Sequence, residues 1–336
     1  MLAGPQVTLD AMVDSLKAAA ESSRLRILAL VSQGDLTVSD LTDILGQSQP
    51  RVSRHLRLLL EAGLIVRYQE GSWAFFRVTD NEAAREFVAG LVARVNRGDP
   101  QIARDLERLA GVKKRRQERA AEYFGRNAAS WDEIRSLHVP EAAVEAALLD
   151  AVGRRPIQSM LDLGTGTGRL LEILAPIYRR GVGIDMSREM LSIARANLER
   201  AGVANAQVRQ GDIYAPPVER DAFDLVTIHQ VLHYLDDPRL AVLEAAKLLR
   251  PAGHLAIVDF APHGLEFLRE SHAHARLGFS DRQIAEWFGE AGHDMAESRA
   301  FDPRGSADAR LTVKQWVGRD RRLLVADAGT QRETAR

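Results

Sequence analysis

The sequence predicts two folded units of different class: an α+β winged helix-turn-helix domain in front, and an α/β domain on a mostly parallel sheet behind it. Three observations carry this. The first hundred residues hold short helical patterns that end in an alternating hairpin. From Ile157 onward, strand-like and helix-like runs alternate, the rhythm of a sheet with helices on both faces. Between them in character stands MLDLGTGTGRLLEIL (160–174), an apolar strand that passes through three glycines into an apolar helix.

Composition bounds the rest. At 336 residues the chain is long enough for two domains. A hydrophobic share of 46% is that of ordinary globular cores. No apolar run reaches the length of a membrane span, and no basic segment followed by an apolar one opens the chain, so the expectation is a soluble cytoplasmic protein without membrane partners. Zero cysteines exclude disulfides, thiolate nucleophiles and Cys-ligated metal sites. With a net charge of −1, any nucleic-acid contact must come from a local basic patch.

In the front unit, SDLTDILGQSQPRVSRHLRLLLEAGL (39–64) reads as two helices with a tight turn at Gly46. Ser48 fits an N-cap, and Pro50 is tolerated in a first helical turn. On the second helix Val52, Leu56 and Leu59 share one face, with Arg51, Arg54 and Arg57 on the other side. LIVRYQEGSWAFFRV (64–78) then gives two β-rich runs broken at Glu70-Gly71-Ser72, a hairpin. A helix-turn-helix inserts its second helix into the major groove. That makes Gln49, Ser53 and Arg54 the candidate base readers and Arg51, Arg57, Arg67 and Arg77 the candidate phosphate contacts. A helical hairpin with a solvated basic face is the alternative for the α-helical arginines alone.

This run resembles the ArsR/SmtB winged-helix repressors over roughly the first 95 residues. The resemblance implies double-stranded operator DNA as partner. It also implies a homodimer formed through the first helix (Leu9, Met12, Val13, Leu16) and the helix after the wing (Phe87, Leu91, Val92, Val95). The departure is GDLTVSDL (34–41): where members of that family often carry paired cysteines, this chain has Thr37 and Ser39. Hydroxyls bind soft metals poorly, and Asp40 and Asp43 at a helix start read as caps or solvated charges, so no metal site is expected.

Between about Asp99 and Leu137 the chain is polar and helical, including VKKRRQERAAEYF. Behind it come five strand candidates: IQSMLDLG, GVGIDM, AQVRQGDI, FDLVTIHQ and HLAIVDF. The glycine-rich turn alone cannot separate a dinucleotide site from an S-adenosylmethionine (SAM) site. Asp185 ends the second strand about twenty residues past the first glycine, where a carboxylate can accept both ribose hydroxyls. Asp212, after the third strand, can accept from an adenine amino group while Ile213 packs on the ring.

The set resembles class I SAM-dependent methyltransferases, especially the ubiquinone/menaquinone-biosynthesis type, over roughly Tyr123 to Gly318. The resemblance implies a Rossmann-like seven-stranded sheet closed by an antiparallel strand, here LTVKQWVGR, and SAM or S-adenosylhomocysteine as cofactor. It places methionine contacts at Asp162 and Gly164 within the turn Gly164, Gly166, Gly168. Ribose falls at Asp185, adenine at Met186, Asp212 and Ile213, and the fourth-strand exit at His229. It also makes Tyr123, Arg126 and Trp131 resemble the family's helical lid.

If methyl is transferred, candidate bases lie where the fourth and fifth strands end. They are His229 and His233 foremost, then Tyr234 and Asp259, with His263, His272 and His274 nearby. Each histidine also reads as a hydrogen-bonded or solvated ring. The fourth strand exits through IHQV rather than the Asn/Asp-Pro-Pro-aromatic run of DNA amino-methyltransferases, and arsenite methylation uses cysteines this chain lacks. A small-molecule acceptor remains. The domain expectation is 1–97 winged helix-turn-helix and dimerisation, 98–137 helical connector and lid, 138–320 methyltransferase, and 321–336 flexible tail. The leading functional expectation is a transcriptional regulator whose operator affinity responds to SAM or S-adenosylhomocysteine. The other is an active methyltransferase with the DNA-binding domain as a regulatory appendage.

Overall fold

A computed structural model describes residues 7–70, 73–79, 81–128, 141–153, 157–302 and 311–322. The chain divides into two compact units, Met1–Glu118 and Arg119–Arg336, a boundary inside the segment expected to connect the domains.

The front unit runs α1 (Leu9–Ala19), α2 (Ser22–Val31), β1 (Leu36–Thr37), α3 (Val38–Leu45), α4 (Gln49–Glu61), β2 (Ile65–Glu70), β3 (Trp73–Val78), α5 (Glu82–Arg94) and the start of α6 (Pro100–Asn127). The two helices and the hairpin are those expected. Gly46 ends α3 at φ 64°, a left-handed turn that glycine takes without strain. Ser48 is the N-cap residue of α4 but makes no side-chain capping bond. The wing is antiparallel, and β1 adds a third strand, in the order β1-β3-β2. Val52, Leu56 and Leu59 are buried as their spacing predicts, in one core with Ile27, Leu41 and Ile44.

The first half of α6 does more than connect. Leu109 and Val112 belong to that same front core. Asp105, 3% exposed, takes two hydrogen bonds from Arg26 of α2, at 2.5 and 2.7 Å. Arg26 also donates to the Leu45 carbonyl at 3.3 Å, and Arg108 donates to Ile44 O at 2.9 Å. Two guanidinium groups therefore satisfy carbonyls that the last turn of α3 leaves without helical partners.

The rear unit contains α7 (Glu141–Val152), β4 (Ile157–Leu163), α8 (Arg169–Ile173), β5 (Tyr178–Asp185), α9 (Arg188–Arg200), β6 (Ala206–Gln210) and β7 (Phe223–His229). These are followed by a short 3-10 turn (Leu232–Tyr234), α10 (Pro238–Ala246), β8 (Leu249–Phe260), α11 (Phe267–Ser271), α12 (Asp281–Glu290), β9 (His293–Phe301) and β10 (Val313–Asp320). Its seven strands lie in the order β6-β5-β4-β7-β8-β10-β9. The first five pair in parallel, and β10 runs antiparallel between β8 and β9. The expected closing strand LTVKQWVGR is β10. Strand β9 was not anticipated. Order reverses between β4 and β7, which opens a crevice at the carboxyl ends of those strands. Leu161, Leu163, Ile228, Phe288 and Trp316 pack one face of the sheet; Met160, Leu148, Leu170 and Leu174 pack the other.

Arg322 bonds to Asp320, to Asp221 at 2.5 Å and to the Leu249 carbonyl at 2.6 Å, and Arg321 bonds to Asp294 at 2.7 Å. The remainder of the tail, and Trp131 of the expected lid, lie outside the described residues. Among the described residues no helix is long and apolar enough to cross a membrane.

Candidate functional site

The front unit exposes basic and polar residues on α4 and on the wing. Gln49, Arg51, Ser53, Arg54 and Arg57 are exposed along α4, because the opposite stripe of that helix is committed to the core. On the wing, Arg67 is exposed and donates to Gln69, while the half-buried Arg77 stands 6.0 Å from the centre of the Tyr68 ring. Arg57 faces Glu61 at 3.7 Å across one helical turn, a solvated pair that a stronger anion can displace. Trp73, at the start of β3, is 39% exposed and extends the wing surface.

The stretch GDLTVSDL is used structurally. Thr37 is the N-cap of α3: its hydroxyl accepts from Asp40 N–H at 3.1 Å, and Asp40 Oδ2 accepts from Thr37 N–H at 2.8 Å. The two bonds make a reciprocal capping box. Among the described residues no cluster of His, Asp and Glu suits a metal ion.

In the rear unit the glycine turn stands at the mouth of the crevice. Gly164, Gly166 and Gly168 have φ of 73°, 51° and 83°, a left-handed run that residues with side chains rarely adopt. Close approach is also required, though by protein rather than by ligand alone. A Cβ on Gly164 would lie 2.9 Å from Val231 Cγ1, and one on Gly168 would lie 3.2 Å from Ala194 Cβ. Asp162, 2% exposed, accepts from the Thr227 hydroxyl at 2.6 Å, which ties β4 to β7 beneath the turn.

Asp185 closes the other side. Its Oδ2 accepts from Gly166 N–H at 2.8 Å and its Oδ1 from Ser187 N–H at 2.9 Å. Backbone donors on both oxygens orient the carboxylate, and a carboxylate's four acceptor sites leave room for two neighbouring hydroxyls. Burial pushes its pKa up, against the lowering effect of those backbone bonds. Hydroxyl donors from a ligand would favour the charged form and relieve that penalty. Met186 follows, 52% exposed, with its carbonyl held by Gln210 Nε2 at 3.1 Å. Asp212 Oδ1 accepts from Tyr214 N–H at 2.9 Å, and Ile213 is largely absorbed into the core at 7% exposure. Asp162, the glycines, Asp185, Met186, Asp212 and Ile213 thus come together at the carboxyl ends of β4, β5 and β6.

His229 ends β7 and is half-buried. His233, in the following 3-10 turn, is 2% exposed, and its Nδ1 lies 2.8 Å from Oδ1 of the fully buried Asp259. Rings crowd around it: Tyr234 at 4.0 Å, His274 at 4.3 Å and Phe260 at 4.8 Å between centroids. Tyr123, from the end of α6, shares a 2.7 Å hydrogen bond with His272 Nδ1. Burial pushes the Tyr123 and Tyr234 hydroxyls up and the His263 imidazole down to about 4. Arg126 instead pairs with Glu122 at the surface.

Comparison with known proteins matches each unit separately. Residues 21–66 match the family model of the bacterial regulatory proteins of the arsR family, and residues 157–299 match that of a methyltransferase domain. The arsenical resistance operon repressor of Escherichia coli is 43% identical over 68 residues, which are 20% of this chain and 58% of that protein. The ubiquinone/menaquinone biosynthesis C-methyltransferase UbiE of Vibrio vulnificus is 33% identical over 117 residues, 34% of this chain and 45% of that one. The crystal structure of the N-methyltransferase NodS from Bradyrhizobium japonicum, in complex with S-adenosyl-L-homocysteine, superposes with a TM-score of 0.50 at 22% identity. It covers 60% of this chain and 98% of that one, a likeness of fold. This chain spans 33% to 59% of the length of the curated relatives it matches.

Proposed function

We propose that this chain, an arsR-type helix-turn-helix domain joined to a class I methyltransferase domain, is a DNA-binding regulator whose rear domain binds SAM or S-adenosylhomocysteine and thereby sets operator affinity. The observation that carries the reading is Asp185. Its carboxylate is desolvated, aimed by Gly166 and Ser187, and retains acceptor capacity for two hydroxyls beside a left-handed glycine turn. The residues present fit the nucleoside. Asp185 would take the ribose hydroxyls, Met186 and Ile213 would flank the adenine, Asp212 would accept from its amino group, and Asp162 with Gly164 would meet the methionine moiety.

On the front unit, Gln49, Ser53 and Arg54 would read bases, while Arg51, Arg57, Arg67 and Arg77 would hold phosphates. The exposed apolar residues of α1, Leu9 at 79%, Met12 at 36% and Leu16 at 48%, support burial against a second copy, which would present two α4 helices to two half-sites. Thr37 and Asp40 cap α3, and in this reading the rear crevice would receive the signal. A coupling of about 1–3 kcal/mol, or about 5–150-fold in affinity, is the usual size of such an effect.

The test is fluorescence anisotropy with the DNA upstream of the protein's own gene, with and without SAM and S-adenosylhomocysteine, on wild type and Asp185→Ala. A ligand-dependent affinity that the variant loses supports the reading; an affinity indifferent to both ligands refutes it. A second reading, methyl transfer to a small acceptor, is favoured by the buried His233–Asp259 pair.

A further inference from the structure

Resting on DNA binding by the front unit, and on no ligand in the rear domain, we propose that the first half of α6 is a second DNA-contact surface. On it Arg104, Arg108 and Arg115 hold backbone phosphates beside those met by the start of α4.

Three features of α6 converge. The first is a line of cations without acids. At 100° per residue the three arginines fall within about 40° of one another, next to the stripe that Asp105, Leu109 and Val112 commit to the core. All three are exposed. Arg104 donates to Pro100 O of its own helix at 3.1 Å and Arg108 to Ile44 O at 2.9 Å. None of the three pairs with a carboxylate among the described residues. The acids of this stretch, Glu107 and Glu118, lie farther round the helix, and Glu118 faces Lys114 at 3.7 Å. Like charges four residues apart weaken a helix, so a stripe with only a structural task gains by mixing its signs.

The second feature is place. Arg108 stands at the turn of the helix-turn-helix: a Cβ on Gly46 would lie 3.1 Å from its Nη1. Gln49, the first residue of α4, follows Gly46 by three residues, a chain distance of at most about 11 Å. A DNA strand set against the start of α4 therefore passes beside Arg108. The row is also held firmly, because Asp105 grips Arg26 of α2, and Arg26 in turn donates to the Leu45 carbonyl at 3.3 Å.

The third feature is length. From Arg104 to Arg115 the helix rises about 16 Å, the rise of about five base pairs. Guanidinium groups take phosphate oxygens in paired bonds and read no sequence, so the partner is the duplex backbone. With a net charge of −1 on the whole chain, attraction to DNA has to be built from local rows of this kind.

The experiment uses the full chain and fluorescence anisotropy on two duplexes, the DNA upstream of the protein's own gene and a scrambled duplex of equal length, over about 50–200 mM salt. The main variant is Arg104→Gln with Arg115→Gln, which leaves the Arg108 bond to α3 in place; thermal melting by circular dichroism checks its fold. Each phosphate contact adds about 0.9 to the slope of log affinity against log salt, so the variant's slope should be shallower by about 1.8 for each subunit bound. Across that salt range wild type should lose about tenfold more affinity than the variant. Arg115→Gln alone, at an exposed side chain, should give half the change in slope and serves if the double variant melts early. Arg104→Lys with Arg115→Lys should keep the wild-type slope, since the charges remain. Both duplexes should respond alike, whereas Arg54→Gln should instead narrow the difference between them. A folded variant with the wild-type slope overturns the second surface and leaves DNA binding by α4 standing, as does a variant that alters only the preference for the upstream duplex. Wild type that binds neither duplex at the lowest salt overturns both.

Discussion

Removing Asp105 tests whether the first half of α6 is part of the helix-turn-helix rather than a spacer behind it. The Asp105 side chain is 4% exposed and that of its partner Arg26 9% exposed, and the two share a two-pronged contact. Asp105→Ala would leave a guanidinium buried with a single 3.3 Å bond to the Leu45 carbonyl. An uncompensated buried charge of this kind costs about 3–5 kcal/mol. Hydrogen exchange on the full chain reads that loss locally, without assuming that two domains unfold in one step. Protection over residues 22–61 should fall by about 10²- to 10⁴-fold, while amides of the rear sheet stay as they were. Replacing both partners, as Arg26→Met with Asp105→Leu, should recover most of the protection, because two apolar groups leave no charge to solvate. Protection in Asp105→Ala within about fivefold of wild type would refute the assignment of α6 to the front core.

Other consequences are smaller or more local. Thr37→Ala removes the N-cap acceptor of α3 and should destabilise the front unit by about 0.5–2 kcal/mol, read by the same exchange measurement. Gly164→Ala sets a Cβ against Val231 at a φ of 73° and should both lower the melting temperature of the rear unit and abolish SAM binding in calorimetry. Because Asp185 binds hydroxyls through its charged form and its pKa is raised by burial, SAM affinity should be full near neutrality. It should begin to fall as pH drops through a value above the ordinary aspartate pKa of about 3.9, and a binding isotherm flat down to that value would contradict the assignment.

How much of this was legible in the sequence varies by element. The glycine turn, Asp185 and Asp212 announce themselves because backbone conformation and carboxylate placement demand particular residue types at short spacing. The recognition helix is equally plain, since Val52, Leu56 and Leu59 repeat with its period. Strand β9 was missed for a physical reason. It is the edge strand of the sheet, and HDMAESRAF alternates polar and small residues with little apolar signal. The Thr37–Asp40 capping box was present as a Thr-x-x-Asp pattern. Asp40 reads as a helix-start cap from the sequence, and its partner Thr37 becomes visible only once the N-cap residue of α3 is fixed. The Arg26–Asp105 and His233–Asp259 pairs are separated by 79 and 26 residues, and no local spacing signals such contacts. Only the folded chain brings them together.

The central claim is that a nucleoside ligand in the rear crevice alters how the front domain holds DNA. The most direct measurement is the dissociation constant for the upstream DNA, at one fixed salt concentration, titrated with S-adenosylhomocysteine, which has no methyl group to transfer and so isolates binding from catalysis. The account predicts a saturable change of about 5-fold or more in wild type that Asp185→Ala abolishes. A dissociation constant that stays constant while calorimetry shows the ligand bound would contradict it.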